Sequence, residues 1–421
     1  MEVPYFNKMF DESAPNVSVG RMASMLFTNW NLGHGSLDVV LLTDASSKAL
    51  YRVEHRRYIA FDQTKHPEAV LIKVYRGTDR TVDRSKALKF HRLLSTSSSS
   101  SLAPPPILRF PNGHAYPFIH GQVCYSLSSL TPKMVWKAIA KEMARWHTCL
   151  PVVDLEFVVE RGKGFEGLPD VGPNIWTRAR EWIEEHGEER KVGLEVEFEY
   201  LLERLGARSL TTEQLVLGHG DLVPRNIILQ GRNKRHSAEE KIKAVKFIDY
   251  EHCIYCPPAF ELANHFSSWV GYECNYDQLP TKTIRKAFIE EYVSACRKYS
   301  SRKGEENEEN ESKEAAVSKL MDEVDRWRGF PGFYWGLCAL IQATDAESDP
   351  GMSRRYAEYS KLRFAEYYSW KEEEDGSRDK ESTEMSLRER RWATEDDILD
   401  QAEAGKLENL ELQCPNHDNP N

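Results

Sequence analysis

The sequence contains no apolar run long enough to cross a bilayer, which excludes an integral membrane segment. Nor does the N-terminal region combine basic residues, an apolar core and a cleavage site, so no secretory leader is expected. Cysteine is sparse, with eight scattered through 421 residues, which argues against a disulfide framework and for reduced thiols in the cytoplasm. Cys253 and Cys256 form one CxxC, but no second pair stands at ligand spacing, so a zinc or redox site is not expected there. Positive charge is not in excess either. The net charge of −10 argues against nucleic acid or an anionic membrane surface as the main partner.

What remains is a globular composition, with 40% hydrophobic and 29% charged residues. The length exceeds one ordinary domain and suggests two lobes. Residues 1–20 show no periodicity and are expected to form a loose arm. "LDVVLLTD", "KALYRVE" and "EAVLIKVY" are β-rich runs separated by turn residues, and "VDRSKALKFHRLL" steps like a helix. "STSSSSSLAPPP" is of low complexity, and Asn112-Gly113 marks a hairpin in the strands that follow. Residues 21–120 thus read as a small α+β lobe.

Beyond Leu130 the pattern turns helical. "TPKMVWKAIAKEMARWHTC" places Val135, Ile139, Met143 and Trp146 on one face. Further helical stretches cover about Ile175 to Leu205, Leu262 to Tyr299, and the "FYWGLCALIQA" and "RRYAEYSKLRFAEYYSW" segments. Residues 121–371 form this second lobe, with a charged insertion at 301–316. Residues 372–421 are charge-dense and are expected to be a disordered acidic tail with helical pieces.

The stretch "LGHGDLVPRNIILQ" puts polar residues beside a run suited to a buried strand. Burying such groups is costly unless they are compensated. Its H-x-D-x-x-x-x-N spacing comprises His219, Asp221 and Asn226, and Asp249 closes the strand "KFID" some two dozen residues later. Phosphoryl transfer needs a residue at the acceptor hydroxyl, oxygen ligands for a metal between the phosphates, and a cation on the phosphates. Asp221 suits the first role, and Asn226 with Asp249 suits the second.

These residues, with "FIDYEHCIYCPPAFELANHFSSW", "VLIKVYRGTDRTVDR" and "FYWGLCALIQA", resemble the choline/ethanolamine kinases, and ethanolamine kinase in particular. That family is a branch of the protein-kinase-like phosphotransferases that also includes aminoglycoside phosphotransferases. The resemblance runs from about Leu41 to about Tyr368. It implies an α+β, two-lobed protein-kinase-like fold, with a small antiparallel β-sheet N-lobe and a large, mainly helical C-lobe. It implies ATP and Mg²⁺ as cofactors and a small amino alcohol as acceptor. Conversion of ethanolamine to phosphoethanolamine, the first step of phosphatidylethanolamine synthesis in the family's pathway, is the leading reading. A homodimer is left open.

Position by position, the resemblance makes Asp221 the base and Asn226 and Asp249 the metal ligands. Ser46, Ser47 and Lys48 would cover the phosphates, and Lys73 would contact them. Pro117, Phe118 and Ile119 match the adenine hinge, which uses a carbonyl from the first residue and an N–H from the third, so proline is tolerated. His219 would brace the loop. Glu251, two residues past Asp249, would share its side of a strand and orient metal or substrate. Ser268, Trp335 and Tyr356 complete the expected amine pocket.

Five positions depart from the family pattern. Ala45 replaces the glycine of the phosphate-covering turn, and Ala87 replaces the helix glutamate that would hold Lys73. Ser268 replaces an acid near the amine, for which Glu273 could substitute only if a helix presents it. Glu261 replaces an aspartate. Cys338 replaces a pocket aromatic, which thins a cation–π cage and favours a primary amine over choline. The apolar Val223 points the same way. Three alternatives therefore stay open: a choline kinase, a kinase for another small acceptor, and a non-catalytic pseudokinase.

Overall fold

Alternation along three neighbouring strands builds the first lobe. In the computed structural model, β1 (Gly35–Asp44), β2 (Lys48–Arg57) and β3 (Glu68–Tyr75) pair antiparallel. The structure describes residues 2–27, 35–44, 47–57, 68–77, 79–96, 101–125, 129–150, 172–231, 242–303 and 311–395. Ala49, Tyr51 and Val53 of β2 join Val70, Ile72 and Val74 of β3 in one apolar core. The period of two sends Lys73 to the opposite face, beneath α2 (Arg84–Thr96). β4 (Leu108–Phe110) and β5 (Gly113–Pro117) complete a five-stranded sheet in the order β1-β2-β3-β5-β4. A hairpin is present, turning at Pro111-Asn112, one residue before the expected Asn112-Gly113. Glycine is required there by close approach, since a Cβ on Gly113 would lie 2.1 Å from the Lys73 carbonyl.

The N-terminal segment is not a loose arm. Residues 4–6 hydrogen-bond to β4 through Arg109, and α1 (Pro15–Leu26) packs Val19, Met22, Ala23 and Leu26 with Phe10 onto the sheet's core. The apolar positions of that helix straddle residue 20, so a boundary drawn there hides the periodicity.

β6 (Gln122–Val123) leads into the second lobe and joins the three-stranded sheet β6-β8-β9. There β8 is Ile227–Gly231 and β9 is Ile242–Phe247. α3 (Lys133–Cys149) buries the expected face, Val135, Ile139, Met143 and Trp146. α4 (Ile175–Glu184) and α5 (Glu188–Arg204) follow, then the short pair β7 (Val216–Gly218) and β10 (Ile254–Cys256), hydrogen-bonded antiparallel. α6 (Pro258–Ser268), α7 (Lys282–Lys303), α8 (Lys313–Trp327), α9 (Phe330–Asp345) and α10 (Pro350–Glu374) make the helical body. The charged insertion is therefore helical at both ends, and residues 304–310 lie outside the described residues.

Folding also continues past residue 372, where the sequence suggested a tail. α11 (Ser377–Glu381) and α12 (Leu387–Ala393) return to the lobe and bury Trp392. Its ring lies 3.8 Å from the Arg285 guanidinium, and its indole N–H donates to Asp325 Oδ1 at 2.7 Å. Arg328 pairs with Glu389 at 2.9 Å, and Arg388 pairs with the same carboxylate. Part of the charge that made this stretch look solvated is paired, Arg378 with Glu373 and Glu389 with Arg388 and Arg328. Residues 396–421 lie outside the described residues.

Candidate active site

β7 ends at Gly218, and the chain then crosses the lobe as the loop His219–Asn226 before β8 begins. Gly220 adopts φ 77°, and a Cβ there would meet the His252 carbonyl at 2.1 Å, so only glycine fits. His219 Nε2 donates to the Ile248 carbonyl at 2.8 Å, and its Nδ1 accepts the Asp221 N–H at 3.4 Å. Burial depresses its pKa, so the ring stays neutral and braces the loop as anticipated. Asn226 Nδ2 donates to the Asp221 carbonyl at 2.8 Å and to its carboxylate Oδ2 at 3.1 Å. Asp221 and Asn226 are therefore tied together.

The rest of the loop's backbone is held by one face of α6. The Glu261 carboxylate accepts N–H groups from His219 at 3.0 Å and Gly220 at 3.2 Å. Asn264 Nδ2 donates to the Gly220 carbonyl at 2.7 Å, and His265 Nδ1 to that of Leu222 at 2.9 Å. Ser268 Oγ donates to the carbonyls of His265 at 2.7 Å and Leu222 at 3.3 Å. Positions 261, 264, 265 and 268 follow helical spacing, so one polar stripe satisfies a buried loop. Ser268 belongs to this stripe and does not stand in for the missing amine-site acid. Glu273 does not replace it either, because α6 ends at Ser268 and Glu273 is exposed.

Burial raises the Glu261 pKa to about 7, its two backbone donors lower it, and the Asp221 charge raises it. A folded-state pKa above the unfolded one means stability that is full below about 4.5 and is lost as pH rises through about 7. Glu261→Gln abolishes this titration. Wild-type stability, measured relative to Glu261→Gln by urea unfolding, should therefore fall between about pH 5 and about pH 8. A pH-independent difference would contradict the assignment.

Asp249 follows β9 in the left-handed region, φ 69° and ψ 70°, and a 3-10 turn over Tyr250–His252 comes next. Strand alternation thus does not align Asp249 with Glu251. The turn does so, and the two carboxylates meet a pair of lysines. Lys73 Nζ lies 2.8 Å from Asp249 Oδ1 and 2.7 Å from Glu251 Oε1. Lys48 Nζ lies 2.7 Å from Asp249 Oδ2 and 2.6 Å from Glu251 Oε2. Burial works against the charges of Asp249, Lys48 and Lys73, but the pairing outweighs it. Asp249 is held well below the usual carboxylate range, and both lysines are raised. Glu251 therefore belongs to the lysine cluster.

The same cluster settles how Lys73 is held without a helix glutamate. Ala87 lines a cavity of about 10 Å³, sized for one water, together with Lys73, His91, His114, Asp249 and Glu251. Asp249 and Glu251 supply the carboxylates that Ala87 cannot.

Of the nucleotide-side residues, Ser47 offers its carbonyl to the Arg76 N–H at 2.9 Å. Ala45 and Ser46 lie outside the described residues. Pro117 pairs with Val70, and the Phe118 N–H donates to Ala69 at 3.0 Å. The sheet thus uses the one N–H of Pro117–Ile119 that adenine pairing does not need.

On the acceptor side, the Trp335 indole N–H donates to Asn264 Oδ1 at 2.7 Å, linking α9 to the loop. Tyr356 stands edge-on to Tyr272 at 6.4 Å, and Tyr272 stacks on Tyr359 at 4.3 Å. Burial raises the pKa of both Tyr359 and Cys338, and the Asp221 charge adds to each rise. Tyr272, Tyr359 and Asn264 were not among the sequence candidates. Asn264 and Glu261 had a signal in the polar stripe of α6. Tyr272 lies in a turn with no periodicity to reveal it.

Oxygen donors suited to Mg²⁺ are present in Asp249 and in Asn226, whose amide nitrogen is turned to Asp221. A cationic ammonium already rests on Asp249, which shows that its carboxylate accepts positive charge.

A profile of the choline/ethanolamine kinase family matches residues 39–368. Mouse ethanolamine kinase 1 is 28% identical over 331 residues, spanning 73% of this chain and 78% of that protein. Among solved structures, the Plasmodium vivax ethanolamine kinase superposes with a TM-score of 0.61 at 18% identity, covering 84% of this chain and 88% of that one. A Cryptosporidium parvum choline kinase gives 0.60 at 20% identity, covering 86% and 96%. At these identities the two structures speak to the two-lobed fold alone.

Proposed function

This chain belongs to the choline/ethanolamine kinase family, and from that premise we propose that its acceptor is ethanolamine, phosphorylated at the hydroxyl by ATP. The observation that carries the reading is the Asp221–Asn226 pair beside Asp249 and its two lysines. Mouse ethanolamine kinase 1, at 28% identity, supports the choice of acceptor. So does Cys338, a buried thiol at the position where the family carries a cage aromatic that would favour a quaternary amine.

Asp221, oriented by Asn226, accepts the acceptor's hydroxyl proton as its oxygen bonds to the γ-phosphorus. The bond from that phosphorus to the β-phosphate oxygen breaks, and ADP leaves. Lys73 neutralises phosphate charge from a fixed strand position. Asn226 and Asp249 would hold Mg²⁺, which supplies further charge neutralisation when bound. Trp335, Tyr272, Tyr356 and Tyr359 wall the acceptor. Positioning and charge do the work, with no covalent enzyme intermediate. A cytoplasmic location belongs to the same reading, supported by the free thiol state of every described cysteine. Among the described residues, no helix is long and apolar enough to cross a membrane.

Steady-state kinetics with a panel of amino alcohols tests the acceptor. The value of kcat/KM for ethanolamine should exceed that for choline by at least about tenfold, the equivalent of one lost cation–π contact. Equal or better use of choline would make this a choline kinase. ADP release that no amine stimulates would leave a binding protein.

A further inference from the structure

The two lysines of the cluster are not equivalent. Each carboxylate gives one oxygen to each ammonium, which closes a ring of four groups. Two negative charges meet two positive ones, so the ring is neutral. Lys73 sits inside the sheet on β3, with a side chain 5% exposed. Lys48 is the first residue of β2, in register with Tyr75 of β3, and its side chain is 20% exposed. Lys73 is therefore the enclosed member of the ring and Lys48 the one nearer solvent.

We propose that Lys48 is a tethered counter-cation that caps Asp249 in the nucleotide-free protein and must withdraw before a divalent cation can bind. The physical grounds are local. Asp249 Oδ2 has an ammonium at 2.7 Å, and a second cation cannot approach that oxygen without Coulomb repulsion. Adding a divalent ion to an already neutral ring leaves an uncompensated double positive charge. Withdrawal of Lys48 exposes a net negative ring and frees an ammonium for the phosphates that enter with the metal. Binding of metal and nucleotide are thereby coupled, because the phosphates offer Lys48 a new partner. Lys48 is in this sense a positioning residue, and the proposal rests on Asp249 being a metal ligand.

The test is Mn²⁺ binding to the nucleotide-free full chain, read from the free-ion electron paramagnetic resonance signal. Wild type, Lys48→Met, Lys48→Gln and Asp249→Asn are compared, with circular dichroism confirming that each is folded. Both Lys48 variants should bind Mn²⁺ at least about tenfold more tightly than wild type, because a unit positive charge beside the site has gone. Asp249→Asn should bind it more weakly. If the Lys48 variants match wild type or bind more weakly while Asp249→Asn loses binding, the capping role is wrong and the metal assignment survives. If Asp249→Asn binds Mn²⁺ as wild type does, the metal assignment fails and takes the proposal with it.

Discussion

Asp221→Asn should lower kcat with ethanolamine by between about 100- and 10,000-fold, the usual range for loss of a general base. The KM for ATP should stay within a few-fold of wild type, since Asp221 contacts neither lysine. Stability should also be nearly unchanged. The carboxylate's described hydrogen bond is the one it accepts from Asn226 at 3.1 Å, and an asparagine carbonyl can accept the same bond. The effect should thus appear in turnover and not in the melting curve. Coupled detection of ADP at saturating ATP and amine, beside thermal unfolding, makes the comparison. A loss of less than tenfold would remove Asp221 from the role of base.

That expectation uses the part of the site that was readable in advance. The H-x-D-x-x-x-x-N spacing singled out Asp221 and Asn226, which meet in one loop because local spacing survives folding. The strands from Gly35 to Tyr75 and the buried face of α3 were readable for the same reason, since periods of two and 3.6 are written in adjacent residues. What was not readable depends on contacts distant in sequence. Lys48 and Asp249 are 201 positions apart, and no pattern announces that they meet. Ala87 looked like a defect because the pairing that replaces its glutamate comes from the other lobe. Ser268 looked like a lost substrate contact because the loop it holds lies 46 positions earlier. The last helices were taken for a tail because paired and solvated charges look alike in a sequence. Arg328 and Glu389 become distinguishable only when they are brought to 2.9 Å.

Asp249→Asn should be the most damaging single substitution at the site, and for two separable reasons. Turnover should fall by at least about 1,000-fold, because an oxygen ligand and the charge balance on the phosphates are lost together. Stability should fall as well, by about 2–4 kcal/mol, the cost of breaking a buried pair discounted for partial exposure. The Asp249 side chain is 24% exposed, but Lys73 is only 5% exposed and would share Glu251 alone with Lys48. Urea unfolding at pH 7 reads the second effect. Removing Lys48 in the same chain separates the two, because it relieves the excess positive charge. Asp249→Asn with Lys48→Met should regain stability over Asp249→Asn alone and regain no turnover. If the double variant were no more stable, the four-group ring would not be the source of the penalty.

The pH behaviour of the fold should be two-sided. Burial lowers the pKa of His91 and His265 to about 4 and that of His147 to about 3, each below the ordinary value of 6.5. Such groups bind fewer protons folded than unfolded, so their effect is to reduce stability as pH falls below about 6.5. Glu261 acts in the opposite direction over much of the same range.

The account stands or falls on where the phosphoryl group goes. Phosphorus NMR of a reaction containing the protein, Mg-ATP and ethanolamine distinguishes the outcomes directly. The account predicts a phosphomonoester of the ethanolamine hydroxyl, formed in step with ADP and absent with Asp221→Asn. ADP accompanied only by inorganic phosphate, or ATP left intact, would contradict it.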